Sequence, residues 1–292
     1  MRPRQEFPAW YGIEYHSMKF AKYWVRGSGF ANGVSVRCRG WSNDSETDAR
    51  RKAEQTAEAI ARRIASGRRG RAEYEYGDRP LPEPLLEELP GAWITRNAYG
   101  AEVLNCSSLL FLDVDREEPA GAALDLFSGL RSLFGMAPAL SKQPDAVVSM
   151  EAVAKRHNLG LRVYQTAAGY RGIVTNLRFQ PGAEETRRLL TEFGCDPLYI
   201  RLCQAQDSCR ARLTPKPWRC GLAAPPVSFP FEGPREEGLF RTWLSQYQAN
   251  SAANATCRLL HTTGQPATDS EITRLIERHD RETKALSQLP LA

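Results

Sequence analysis

The run Leu109-Leu110-Phe111-Leu112-Asp113-Val114-Asp115 constrains this chain more than any other stretch. Consecutive large apolar residues need burial, and a segment this short that ends in acids reads as a strand leaving the core at its C-terminal end. Side chains alternate along a strand, so Asp113 and Asp115 face the same way, with Cα atoms about 7 Å apart at roughly 3.3 Å per residue. Such a pair can share a divalent ion. Magnesium or manganese takes hard oxygen ligands, commonly one or two carboxylates together with substrate phosphates. The same acids, followed by Arg116-Glu117-Glu118-Pro119, also suit a turn that caps a following helix.

The rest of the chain offers enough apolar residues to cover such a strand. It has 292 residues, 42% of them hydrophobic and 25% charged, which excludes a disordered or collagen-like protein. No apolar run reaches the roughly 18 residues of a membrane span, and the first ten residues contain no signal-like stretch. A cytoplasmic location and no membrane partner are the expectation. The formal charge of +5 permits a phosphate-bearing partner without requiring one. The 7 cysteines include no C-x-x-C pair. Cys203, Cys209, Cys220 and Cys257 have gaps unlike the usual zinc spacings, so buried thiols are expected rather than a zinc site.

Periodicity divides the chain into an α+β arrangement. Ser17 to Arg26 and Val34 to Arg39 alternate as strands, with the turn placed in Gly27 to Gly33. Ala49, Ala53, Ala57, Ile60 and Ile64 recur at helical spacing, and the same helix carries Arg50, Arg51, Arg62 and Arg63 before the Arg68 to Arg71 run. Residues 1–76 thus form a hairpin-plus-helix unit, and the Pro-rich 77–91 reads as a linker. An α+β core, a mixed sheet covered by helices, is expected over 92–230. It includes helices at Ala120 to Phe134, Met150 to His157 and Glu184 to Phe193, and a strand pair, Leu161 to Thr166 and Arg171 to Asn176. A mainly helical extension follows over 231–292, with helices near Gly238 to Gln248 and Asp269 to Ala285 and a strand-like Thr256 to His261.

Two further constellations carry chemistry. Arg162-Val163-Tyr164-Gln165-Thr166-Ala167-Ala168-Gly169-Tyr170-Arg171 places a tight small-residue loop where backbone amides can approach a phosphate, with Thr166, Arg162 and Arg171 beside it. A hairpin needs those small residues for geometry alone. Further on, Arg201, Arg210, Arg212, Lys216 and Arg219 interleave with Tyr199 and Trp218, a pattern that suits phosphate pairing and base stacking as well as a solvated basic face.

A strand ending hydrophobic-Asp-hydrophobic-Asp, then helices, then Arg-Val-Tyr-x-Thr-x-x-Gly-Tyr turning into another strand resembles the catalytic core of the archaeo-eukaryotic primase (primase-polymerase) superfamily. The resemblance covers roughly Leu104 to Lys216. It implies an RRM-like, primase-like sheet with helices and metal-dependent nucleotidyl transfer with magnesium or manganese. It implies Asp113 and Asp115 as metal ligands, and nucleotide-phosphate contacts at Thr166 and Gly169. Arg171 stands about where that family has a nucleotide-contacting histidine. A third carboxylate is expected later in the chain, where Asp196 and Asp207 are the candidates. The partners implied are nucleotides with DNA or RNA, and cations from Arg210 and Arg212 to Lys216 would neutralise the transferred phosphates. A catalytically inactive nucleic-acid-binding protein that uses its N-terminal arginines is the alternative. A sugar-nucleotide transferase, which also uses D-x-D, and a purely structural protein are the remaining readings.

Overall fold

Asn32 and Gly33 both have positive φ, 47° and 82°, which is the geometry of the two-residue turn that matches the twist of a hairpin. That turn joins β1 (Tyr23–Ala31) to β2 (Val34–Ser42) in one uninterrupted antiparallel ladder. The computed structural model describes residues 21–67, 80–115 and 145–292. The Arg68 to Arg71 run, the residues before 21 and the helix expected at Ala120 to Phe134 lie outside them.

The turn is shorter than the sequence suggests because Gly27 and Gly29 are strand residues. They lie under α1 (Glu46–Ala65), whose buried face is Ala49, Ala53, Ala57 and Ala61. Ile64 is exposed, so the buried stripe keeps strict steps of four and uses only alanine. Helix and ribbon approach so closely that a Cβ on Gly29 would lie 2.2 Å from the backbone nitrogen of Glu58. Gly29→Ala therefore forces the helix away from the ribbon, and we expect a loss of about 1–3 kcal/mol in chemical denaturation. An unchanged midpoint would mean the helix is not seated there.

The main body is built from two antiparallel four-stranded sheets. The first has the order β10 (Cys257–Thr263), β7 (Leu161–Thr166), β8 (Gly169–Val174), β6 (Phe111–Asp115). The second has the order β3 (Leu85–Leu89), β4 (Ala92–Arg96), β5 (Glu102–Cys106), β9 (Cys209–Arg212). The helices are α2 (Asp145–Arg156), α3 (Glu184–Glu192), α4 (Pro197–Gln206), α5 (Pro234–Ala252) and α6 (Ser270–Thr283). One continuous apolar cluster joins both sheets with residues of α2, α3, α4 and α6. Gly172 on β8 lets Leu112 and Met150 of α2 close over one face of the first sheet. Fully buried His279 of α6 lies against Phe111 and Tyr164 on the other.

The α+β class stands as read. Two boundaries move. The segment expected as a linker contains β3, which pairs with β4. Its Leu-Leu-Glu-Glu-Leu sequence lacks clean alternation because it is an edge strand, exposed along much of its length. The segment expected as an extension is part of the body: β10 completes the first sheet beside β7, and Ile272, Leu275 and Ile276 of α6 enter the core. This leaves β6, with its two acids, as the last strand of its sheet among the described residues, with Tyr199 and Asp196 of the α4 region donating to its Phe111 and Asp113 carbonyls. An RRM-like sheet would instead put the last strand beside β6.

Candidate acid and cation site

Asp113 and Asp115 are exposed while Leu112 and Val114 between and before them are buried, so the carboxylates share the solvent face of β6. Two cross-strand neighbours fix their surroundings: Arg171 opposite Asp113 and Gly169 opposite Asp115. Asp196, the cap of α4, is drawn in by its backbone nitrogen donating to the Asp113 carbonyl at 3.0 Å. Burial, then the charges of Asp113 and Asp196, raise the Asp115 pKa, and Lys216 opposes the shift. Three carboxylates and a lysine therefore sense one another at this edge.

The cations come from β9 and the loop after it. Arg212 is held below its usual pKa by burial and by the neighbouring Arg171 charge, with Asp113 acting in the opposite sense. Its Nη1 is buried and has no hydrogen-bond partner among the described residues. Lys216 is shifted down by burial and by Arg212 and Arg219, against the pull of Asp113 and Asp115. Its ammonium sits 5.5 Å from the ring centre of Trp218, which is 52% exposed and meets Tyr99 edge-on. The loop is held from behind by α5. Tyr247 Oη donates to the Pro215 carbonyl at 2.6 Å, Trp243 stacks on Tyr247, and Asn250 Nδ2 donates to the Cys220 carbonyl at 3.0 Å.

Arg171 is set from below. Only 4% exposed, it donates through Nη1 to the Arg212 carbonyl at 2.9 Å and to His279 Nε2 at 3.0 Å. Arginine can only donate, so Nε2 is the acceptor and the imidazole proton is on Nδ1, which faces Asp280 Oδ1 at 3.0 Å. Burial pulls the His279 pKa down to about 4; the Asp280 hydrogen bond works against this and the Arg171 charge with it. Asp280 in turn accepts from Tyr164 Oη at 2.7 Å and from Arg162. The result is a buried chain from α6 to the arginine beside Asp113.

The structure brings together Asp113, Asp115, Arg171, Arg212 and Lys216 from among the residues singled out in the sequence. It assigns others elsewhere. Arg162 is occupied by Asp280 and Tyr164. Arg210 lies on Glu83, 2.7 Å from each carboxylate oxygen. Thr166 Oγ1 accepts from the Gly169 amide at 3.0 Å, so that amide closes the hairpin rather than standing open to a phosphate. Tyr199 is buried and donates to the Phe111 carbonyl, which removes it as a stacking surface. Asp207 accepts from the Gly182 amide.

His279 and Asp280 were missed in the sequence. Their signal is the helical stripe Ile272, Leu275, Ile276, His279, Thr283, which puts a histidine on an apolar face. Cys203, Cys209 and Cys257 are buried free thiols and Cys220 is partly buried.

Two carboxylates on one strand face fit a single shared divalent ion whose remaining ligands are water and phosphate oxygens. Among the described residues no group of three or more His, Cys, Asp or Glu is arranged to hold a metal by itself. Among the same residues no helix is long and apolar enough to cross a membrane. Compared with known protein families, curated proteins and solved structures, the chain has no match.

Proposed function

We propose that the chain is a divalent-metal-dependent nucleotidyltransferase of the primase-polymerase kind, acting on nucleotides and nucleic acid. The observation that carries this reading is the meeting of an open carboxylate pair with a cation cluster that has an unpartnered guanidinium nitrogen and an exposed tryptophan. A nucleotide needs those three things: a hard cation site for its phosphates, fixed positive charge and a flat surface for its base. Asp113 and Asp115 would hold magnesium or manganese, which supplies charge neutralisation for the triphosphate. Arg212 and Lys216 bind phosphate oxygens, Arg171 keeps positive charge beneath the reacting group, and Trp218 carries the base.

Removing the stacking surface tests the pose. Trp218→Ala is expected to weaken ATP binding in the presence of manganese about tenfold, within the 1–3 kcal/mol of a base–aromatic stack. Unchanged affinity would remove Trp218 from the site. Turnover is read by primer extension on a single-stranded template.

A second reading, a catalytically inactive nucleic-acid-binding protein, is favoured by one observation. Asp196, the third carboxylate that acts on Asp115 among the described residues, spends an oxygen on the Leu198 amide at 2.7 Å as a helix cap. Oligonucleotide binding that survives loss of Asp113, with no extension by the wild-type chain, would select it.

A further inference from the structure

The β1–β2 ribbon has two unlike faces. Its inner face is Val25, Gly27, Gly29 and Gly40, chosen for close approach to α1. Its outer face pairs Trp24 with Trp41, Arg26 with Arg39, Ser28 with Arg37 and Phe30 with Ser35. Nothing in the packing of ribbon on helix calls for arginines between aromatics on that outer face. The cations of α1 are spoken for within the helix, Arg50 by Glu46, Arg51 by Asp48 and Arg62 by Glu58. Among the described residues, those of the ribbon are met by a segment some two hundred residues away.

That segment is 228–236. Arg26 donates to the Ser228 carbonyl at 2.8 Å and to Glu232 at 3.2 Å, with Glu236 at 3.9 Å. Arg37 reaches Glu232 at 3.3 Å, and Arg39 reaches the Ser228 hydroxyl at 3.2 Å. Three guanidiniums thus face two carboxylates, and the Arg39 pKa is lowered by burial and by Arg26. The contacts are open to water: the Arg37 side chain is 71% exposed and Glu232 34%. Exposed pairs of this kind exchange readily and weaken with salt. A cleft of about 780 Å³ runs between the two parts, lined by Trp24, Arg26, Arg37, Phe229, Phe231 and Glu232. The Trp24 indole nitrogen is buried and has no hydrogen-bond partner among the described residues.

We propose that the outer face of the β1–β2 ribbon binds single-stranded nucleic acid, and that the 228–236 segment covers this face as an internal acidic competitor. Charge complementarity selects the occupant. The arginines converge on oxygens of Ser228 and Glu232 as they would on phosphate oxygens. Beside them Phe30, 69% exposed, offers a base-stacking surface, with Trp24 partly exposed and Trp41 already under the Lys52 ammonium. The site is separate from the carboxylate pair on β6.

The test is fluorescence anisotropy of labelled oligothymidylate and oligouridylate of about twelve nucleotides, with the full chain between about 50 and 200 mM salt. Glu232→Gln with Glu236→Gln is expected to tighten binding about fivefold. Arg26→Ala with Arg39→Ala is expected to weaken it about tenfold and to reduce the salt slope by about 1.4, two phosphates at roughly 0.7 each. Circular dichroism of each variant checks folding, and Arg37→Glu, at an exposed position, gives the same reading if the double arginine variant does not fold. The Arg26/Arg39 and Glu232/Glu236 variants should bind ATP with manganese as the wild type does, which keeps failure here distinct from failure at the carboxylates. Arginine variants that bind as tightly as wild type overturn the surface. Glutamine variants that bind no more tightly overturn the competitor. Tightening toward polyglutamate and not toward oligonucleotide gives the face to an acidic peptide and overturns the nucleic acid.

Discussion

Alanine at Asp113 is expected to remove manganese-dependent ATP or GTP binding, lowering the affinity seen by calorimetry about a hundredfold, or about 2.8 kcal/mol. The carboxylate is exposed on an edge strand and has no hydrogen bond among the described residues that the fold relies on, so the variant should melt as the wild type does. Asp115→Ala should behave alike, because the two side chains share one face and the ion needs both. Removing the cation cluster's opposing charge leaves Arg212 and Lys216 less restrained, so weak metal-independent phosphate binding should persist. Full nucleotide affinity in both variants would mean that no nucleotide is held through a metal on β6.

The second large effect concerns stability against pH. His279 is fully buried and neutral, with its pKa pulled down to about 4 from an ordinary value of 6.5. Between those values the unfolded chain binds a proton that the folded chain does not, so stability rises with pH across that window. The contribution is complete above about 6.5 and is lost as pH falls toward 4, roughly 3 kcal/mol over the whole interval. Chemical denaturation at a series of pH values should show this slope. His279→Gln, which keeps an acceptor for Arg171 but cannot titrate, should flatten most of it. An equal slope in the variant would place the titrating group elsewhere.

The parts of this fold that were legible in the sequence are those whose cause is local. Arg-Val-Tyr-Gln-Thr-Ala-Ala-Gly-Tyr-Arg alternates around two small residues, and β7 and β8 follow directly. The Leu189, Leu190, Phe193 side of α3 and the Asp113/Asp115 face needed only periodicity. What was illegible depends on partners far along the chain. Arg210 and Arg162 looked like phosphate ligands until Glu83 and Asp280, 127 and 118 residues away, occupied them. Cationic residues advertise a charge in the sequence but not the carboxylate that neutralises it. Strand β3 was hidden for a related reason: an exposed edge strand among prolines and acids has little hydrophobic pattern to show.

The arginine beside Asp113 is oriented by a histidine 108 residues further on, carried by a helix that itself contributes nothing exposed to the site. The contact that orients the arginine is therefore long-range, whereas the β7–β8 hairpin beside it is local. The geometry beside the carboxylates is thus set by a helix that meets them only through buried groups, His279 on Arg171 and Asp280 on Tyr164 and Arg162. A substitution on the buried side of that helix can therefore change how Arg171 is held without touching any residue that faces the carboxylates.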